Sequence, residues 1–349
     1  MLFEISLLFL AMLLIVASSE LFTNGIEWLG QRLDLNEGVV GSIFAAIGTA
    51  LPETLVPLVA VLSFGHQQGN EVSVGAITGS PFMLSTLTLG LCGAFVYIFH
   101  KRGLRPLEIS ADSRVLKRDL SFFLIAFSLV FISVFTPPEP VLRTVLGICI
   151  FLIYPVYIVV TLKAEGDIGE EPGTLYLSRL LTKIGLGEGE GELEAGKTSR
   201  SSNLGLILFQ VLSAVGGITC GAYFFVNQIQ DVSQSLGFPA QVLSIIISPI
   251  ATEFPEKMNS ILWLRKGKDT LALGNVTGAL VFQSTILGGF GVACTRWNLG
   301  IDARVGVTIA LISATLIYVM VLKRSLNFKF LSLGILVYAA AITFFQISP

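Results

Sequence analysis

The sequence predicts an all-α integral membrane protein with ten transmembrane helices, arranged as two inverted-topology repeats of five helices. Its composition, the number of its apolar segments and an internal repeat lead to this prediction. The 349 residues are 53% hydrophobic and 13% charged, whereas a soluble domain carries about 25% charged residues. A charge deficit along the whole length indicates many spans in a lipid bilayer. The net charge of −2 gives no sign of nucleic-acid binding.

Ten apolar segments are long enough to span a membrane, since a transmembrane helix needs about 20 mainly apolar residues. The first segment has neither a basic leading region nor a small-residue cleavage site, so we expect a retained span rather than a signal peptide. The predicted spans are 3–30, 38–63, 72–99, 120–136, 141–162, 203–228, 239–264, 270–294, 304–322 and 329–347.

The distribution of basic residues predicts the orientation, because cytoplasmic loops carry an excess of lysine and arginine. The chain has 22 such residues, and one of them, Lys257, lies within a predicted span. If the N-terminus is outside, only Arg143, Arg296 and Arg304 fall on the outer side. We therefore expect a multi-pass protein of the cell membrane with both termini outside and the loop 163–202 in the cytoplasm.

That loop divides the chain into a first five-helix repeat, 1–162, and a second, 203–349. It is rich in glycine and glutamate, above all over 187–194, and such a segment cannot bury a core. An acidic run of this kind is compatible with a regulatory calcium site, but no EF-hand spacing is present. A solvated linker is the favoured interpretation, with 175–184 as a short amphipathic helix on the membrane surface.

The two halves share a motif, which is the internal repeat. At an offset of 203 the segment 47–53 matches 250–256 of the motif 250–257, and at an offset of 199 the segment 75–86 matches 274–285. Because each half has five predicted spans, the second copy must have the opposite orientation. Inverted repeats with a site near the bilayer midplane are typical of secondary transporters. The matched residues include Thr49 with Thr252, Pro52 with Pro255, Glu53 with Glu256, Gly75 with Gly274 and Thr78 with Thr277.

Glu53 and Glu256 are the leading candidates for ion ligands. Carboxylates at membrane depth are costly and mark functional sites. Calcium prefers six to eight oxygen ligands from carboxylates, carbonyls, amides and water. Charges paired for packing alone are the alternative, but their twofold repetition has no packing rationale.

The proline of each motif removes a backbone donor and disrupts the helix one turn upstream. We therefore expect broken helices with exposed carbonyl groups near 46–49 and 249–252. Such breaks are tolerated at membrane depth where they line a cavity. The hydroxyl groups of Thr49 and Thr252 are expected to add further oxygen ligands.

Four segments carry a resemblance to a known family. Segments 48–53 and 251–256 resemble the α-repeat signature of the cation/calcium exchanger superfamily, nearest its sodium/calcium exchanger branch. Segments 75–80 and 274–279 resemble its second signature. The resemblance covers both halves, and the four signatures occur in the order found in the family.

The resemblance implies a ten-helix antiporter that exchanges calcium, or a related divalent cation, for sodium by alternating access. No cofactor is implied, since the transported ions themselves are the ligands. Proton-coupled divalent cation exchange is the alternative, and the oligomeric state is left open. An enzyme is not expected, because His66 and His100 fall in loops and no nucleophile–base spacing is present.

The second signature implies further ligands from the third and eighth helices. Its serine is kept as Ser80 but is replaced by Ala279 in the second half. Its amide positions are filled by Asn275 and Gln283, whereas the counterpart of Gln283 in the first half is Leu84. The polar ligands are therefore shifted toward the second half. Nearby hydroxyls either are ligands too or bond helix carbonyls; they belong to Ser85, Thr86, Ser284 and Thr285.

Glu253 and Lys257 depart from the family pattern, which has a small hydroxyl residue in place of Glu253. They are four residues apart and share a helix face, and a membrane-buried lysine should pair with a carboxylate. In one interpretation they are a neutral structural pair beside a two-glutamate site. In the other, the ammonium takes the place of a transported sodium ion and Glu253 accepts protons. We prefer the first.

Polar stripes on the first and sixth helices have two interpretations. They line the inner and outer vestibules of the site, or they solvate helix ends at the membrane surface. The stripes consist of Glu20, Asn24 and Glu27, and of Asn227, Gln230 and Asp231.

Overall fold

The computed structural model describes residues 2–32, 45–64, 69–164, 204–237 and 239–347. Every regular element in these ranges is helical, which confirms the all-α prediction. In chain order the helices are α1 (Leu2–Arg32), α2 (Ala45–Phe64), α3 (Asn70–Met83), α4 (Leu89–Lys101), α5 (Ser113–Ile132), α6 (Pro140–Phe151), α7 (Ile153–Ala164), α8 (Leu204–Leu236), α9 (Ala240–Thr252), α10 (Phe254–Arg265), α11 (Asp269–Phe282), α12 (Gly288–Cys294), α13 (Ile301–Leu322) and α14 (Phe328–Ile347).

Within the described residues, eight helical stretches have the length and apolar composition to cross a membrane. Two shorter apolar helices, Pro52–Phe64 and Ala240–Thr252, fall where the second and seventh spans are predicted. The chain is thus a multi-pass membrane protein. Nearly all of the predicted linker, residues 165–203, lies outside the described residues. The eight stretches are Phe3–Ile26, Asn70–Lys101, Ser113–Phe135, Pro140–Lys163, Leu204–Leu236, Asp269–Cys294, Ile301–Leu322 and Phe328–Phe345.

The expected helix break in the second half is present. Helix α9 ends at Thr252 and α10 begins at Phe254, with Glu253 between them at φ −99° and ψ 6°. Pro249 and Pro255 lie on either side of this residue and cannot donate backbone hydrogen bonds. The carbonyl end of one short helix therefore meets the amide end of the next inside the bundle.

The prediction of a helix break in the first half is wrong for the described residues. Helix α2 runs without interruption from Ala45 to Phe64 and contains Pro52 and Pro57. A single proline removes one hydrogen bond and can be absorbed as a kink. The position matching Pro249 is Ala46 in this half. Helix α2 therefore lacks the upstream proline that accompanies the helix break of the second half.

Two π-helical turns interrupt the helices that carry the second signature. One turn, Leu84–Thr88, joins α3 to α4, and the other, Gln283–Leu287, joins α11 to α12. They are separated by 199 residues, which is the offset of the sequence repeat at this point. Such turns are rare and frequently occur at functional sites, and here they put Gln283 at the start of a widened turn.

Glycines bring α3 of the first half into direct contact with α9 of the second. A Cβ atom at Gly75 would lie 2.5 Å from the carbonyl oxygen of Gln241, and one at Gly79 would collide with the backbone of Ile245. The Ser244 hydroxyl also donates to the Val72 carbonyl at 2.7 Å. The helix that carries the second signature of the first half therefore packs on the helix that leads into the first signature of the second half.

A buried ion pair fixes the start of α11. Arg105, in the loop between α4 and α5, donates to both carboxylate oxygens of Asp269 at 2.7 and 2.8 Å. The same guanidinium donates to the carbonyls of Leu264 and Glu108, and Asp269 accepts from the Ser110 amide. Both charges are thus paired and hydrogen-bonded, which is the condition for burying them.

We predict that Arg105→Ala lowers the free energy of unfolding by about 3–5 kcal/mol, since it leaves Asp269 as an uncompensated buried charge. The matched control is Arg114→Ala, because Arg114 pairs with Asp112 while its side chain is 91% exposed. The control should stay close to the unsubstituted protein. Unfolding of the purified proteins in detergent micelles measures both, and equal loss in the two variants would contradict the prediction.

Candidate functional site

Glu253 is at the centre of the candidate site. Its side chain is 0% exposed, and it belongs to the residue that separates α9 from α10. The Gln283 side-chain amide donates to Glu253 Oε1 at 3.0 Å. The Ser80 hydroxyl interacts with the same carboxylate. Three helical segments from the two halves of the chain therefore converge on one buried carboxylate.

Lys257 provides the compensating charge. Its Nζ atom lies 3.3 Å from Glu253 Oε2. It also donates to the Pro249 carbonyl at 3.1 Å and lies 3.7 Å from Met83 Sδ. The ammonium thus contacts a carboxylate of its own half, a carbonyl at the end of α9 and a thioether of the first half.

Glu53 is the carboxylate that the first half contributes. Its side chain is 3% exposed on α2. Helix α2 packs against α3, α9 and α11 and against the π-helical turn that begins at Gln283. Helix α2, which carries Glu53, is therefore a neighbour of segments that converge on Glu253. The side chains of Thr49 and Glu256 lie outside the described residues, so their predicted roles stay predictions.

Two other predicted ligands have partners elsewhere. The Thr252 hydroxyl donates to the Ser248 carbonyl at 3.2 Å within its own helix. The Asn275 amide donates to the Ser260 hydroxyl on α10 at 3.1 Å. Among the predicted ligands with described side chains, the structure brings Ser80, Glu253 and Gln283 together. It places Glu53 on a neighbouring helix.

The four hydroxyls beside the second signature bond to helix carbonyls rather than point into an ion site. Ser85 and Thr86 donate to the carbonyls of Pro81 and Phe82 at 2.7 and 2.5 Å. Ser284 and Thr285 both donate to the Val281 carbonyl, at 3.1 and 2.6 Å. Of the two interpretations of these residues, the structure supports the carbonyl-bonding one.

The polar stripes of α1 and α8 are not uniform. Asn24 is buried and accepts a hydrogen bond from Gln210 of α8 at 3.0 Å, so it joins the two helices. Gln230 is also buried, whereas Glu20 is exposed. The side chain of Glu27 lies outside the described residues. Neither of the two interpretations of the stripes therefore fits Asn24, which neither lines a vestibule nor solvates a helix end.

Asp119 is a buried polar residue that the sequence analysis missed. It accepts hydrogen bonds from Thr277 of α11 at 2.7 Å and from Tyr157 of α7 at 3.1 Å. The Nε atom of Arg118 lies 3.0 Å from Asp119 Oδ1. The predicted span began at residue 120, whereas α5 begins at Ser113, so Asp119 belongs to the bundle. It ties the second-signature helix α11 to its neighbours.

The family model described as sodium/calcium exchanger protein matches residues 3–163 and 206–347. The chain belongs to this exchanger family. It is 27% identical over 289 residues to the inner membrane protein YrbG of Escherichia coli (strain K12). This alignment covers 82% of this chain and 78% of that protein. The relationship therefore includes both halves and all the site segments described above.

Two solved exchangers have the same fold. The crystal structure of the H⁺/Ca²⁺ exchanger CAX aligns with a TM-score of 0.74 at 17% identity, over 97% of this chain and 82% of that one. The sodium–calcium exchanger NCX_Mj aligns with a TM-score of 0.58 at 20% identity, over 98% of both chains. One of these two structures is thus named as a proton-coupled exchanger and the other as a sodium–calcium exchanger, and likeness at this identity concerns the fold alone.

We predict that Gln283→Leu weakens calcium binding about 10–100-fold, the range found when a partner that orients a metal ligand is removed. Leucine is the residue at the matching position of the first half, and it cannot donate to Glu253. The matched control is Ser284→Ala, since that hydroxyl bonds its own helix. Binding of radiolabelled calcium to the purified proteins measures the difference, and equal affinities would contradict the prediction.

Proposed function

We propose that this exchanger is a secondary active antiporter that moves calcium, or a related divalent cation, in exchange for sodium. The observation that carries the proposal is the buried Glu253 carboxylate at a helix break, to which the Gln283 amide donates, with Glu53 buried on a neighbouring helix of the first half. Oxygen ligands of this kind suit a hard divalent cation. A carboxylate so deep in a membrane bundle marks an ion pathway.

The proposed architecture is ten spanning helices in two inverted repeats, with the ion site near the midplane. It is supported by eight long spans, by two shorter helices at the second and seventh positions and by π-helical turns at matching places. We further propose that both termini lie outside and that 163–202 is cytoplasmic, from the distribution of the basic residues.

Alternating access is proposed to arise from movement of α1 and α8 against the remaining helices. These two helices have 31 and 33 residues, which is longer than a bilayer requires, and they pack along each other. Gln210 of α8 donates both to Asn24 and to the Leu21 carbonyl of α1. Such bonds suit a pair that moves as one unit past a fixed site.

Exchange of a divalent cation for protons is the second candidate. It is favoured by the position of Lys257, whose ammonium lies 3.3 Å from Glu253 Oε2 and can take the place of a coupling sodium ion there. Glutamates in membrane bundles also serve as proton carriers. The two candidates share the same site and differ only in the ion that drives transport.

Uptake of radiolabelled calcium into proteoliposomes, with a sodium gradient and a proton gradient imposed separately, tests the proposal. We predict uptake driven by sodium, and a fall to the background of empty liposomes for Glu53→Gln and for Glu256→Gln. Each substitution removes a carboxylate charge that a buried divalent ion needs. The matched control is Glu139→Gln, which neutralises an exposed carboxylate just before α6 and should transport normally.

Near-normal uptake by folded Glu53→Gln protein would refute the proposed site. Uptake driven by protons but not by sodium would select the second candidate. A well-folded protein that takes up no divalent cation on either gradient would refute the proposed function.

A further inference from the structure

The surroundings of the Lys257 ammonium resemble a monovalent cation site. Its Nζ atom contacts a carboxylate oxygen of Glu253 and the backbone carbonyl of Pro249. In transporters with broken helices, the coupling cation is held by carbonyls at the end of a half-helix together with nearby side-chain oxygens. The ammonium therefore has the partners that a bound sodium ion would have.

The carbonyl contact separates this arrangement from an ordinary ion pair. Glu253 and Lys257 are one helical turn apart, so the pair alone would be satisfied on one face of α10. Instead the lysine also reaches back across the break to a carbonyl eight residues earlier in the sequence. The side chain, 11% exposed, thus bridges the carbonyl end of α9 and the amide end of α10.

The ammonium also lies at the junction of the two repeats. Met83 of α3, at 3.7 Å, belongs to the helix that carries Ser80, and Ser80 interacts with Glu253. The matching positions of the first half, Ala50 and Thr54, carry no charge. The chain therefore has one built-in cation, in only one of its two site motifs.

We propose that the Lys257 ammonium is a tethered counter-cation that permanently fills one monovalent-cation position of the transport site. This inference rests on the proposed function and concerns how many monovalent ions are coupled to each divalent ion. A cation held by a covalent side chain neutralises part of the site in every state but is never released. The exchanger therefore couples one fewer monovalent cation per divalent cation than the same site without the lysine.

The charge balance gives the expected ratio. The balance counts the carboxylates of Glu53 and Glu253 together with that of Glu256, which only the sequence repeat assigns to the site because its side chain lies outside the described residues, and Lys257 offsets one of these three charges. Two uncompensated negative charges are balanced by one divalent ion or by two monovalent ions. Transport by the unsubstituted protein should then carry no net charge across the membrane.

The test is the coupling ratio, measured as the monovalent-ion gradient at which net calcium flux reverses in proteoliposomes with the membrane potential clamped. The monovalent ion is the one that drives uptake in the unsubstituted protein, sodium or proton. We expect two monovalent ions per calcium ion and no effect of the clamped potential on flux. Lys257→Met should raise the ratio by one and make the flux sensitive to potential.

Lys257→Arg is the matched control, because it keeps a fixed positive charge and should keep the ratio of the unsubstituted protein. An unchanged ratio in Lys257→Met would overturn the proposal, as would net charge movement by the unsubstituted protein. If Lys257→Met is inactive, the measurement on the unsubstituted protein decides by itself.

Electroneutral exchange supports the tethered cation, and electrogenic exchange overturns it. Failure of this inference is distinct from failure of the proposed function. In the first case calcium flux is present with the wrong ratio, and in the second the unsubstituted protein has no flux on either gradient.

Discussion

The interruption of the helix at Glu253 is the constraint on which the rest of the site depends. Inside a bilayer the backbone must satisfy its own hydrogen bonds, yet Pro249 and Pro255 each remove a backbone donor near the break. The Pro249 carbonyl accepts both from the Glu253 amide and from Lys257. A helix end rich in carbonyls favours a cation, and a helix start favours an anion. Lys257 and Glu253 occupy these two places. The break and the buried charges thus stabilise each other.

Close packing then brings the partners of the break within reach. Because Gly75 and Gly79 have no Cβ atom, α3 can lie directly against the backbone of α9. This close approach brings Ser80 and Met83 to the break. On the other side, a π-helical turn begins at Gln283, whose amide donates to Glu253. A buried carboxylate is costly unless it is paired and hydrogen-bonded, so these contacts are needed for stability as well as for ion binding.

The helices and the family could be predicted from the sequence, which also names Glu253 and Gln283 as candidate ligands; their ligand role stays a prediction. Long apolar stretches and a repeated motif are local signals that can be recognised in a single sequence. The pairing of Asn275 with Ser260 could not be predicted, since it depends on which faces of α10 and α11 meet. Asp119 was missed because it follows Arg118 at a predicted span edge. Hydroxyls such as Ser284 were ambiguous because a helix carbonyl is always within their reach.

The central claim is that a divalent cation binds at this break, between Glu53 and Glu253. Anomalous X-ray diffraction from crystals grown with strontium in place of calcium tests it most directly. We predict a peak between helices α2 and α9 at coordination distance from the Glu53 carboxylate, about 2.3–2.6 Å for calcium. A peak found only at the surface or in the acidic run 187–194, with none at the break under saturating strontium, would contradict the account.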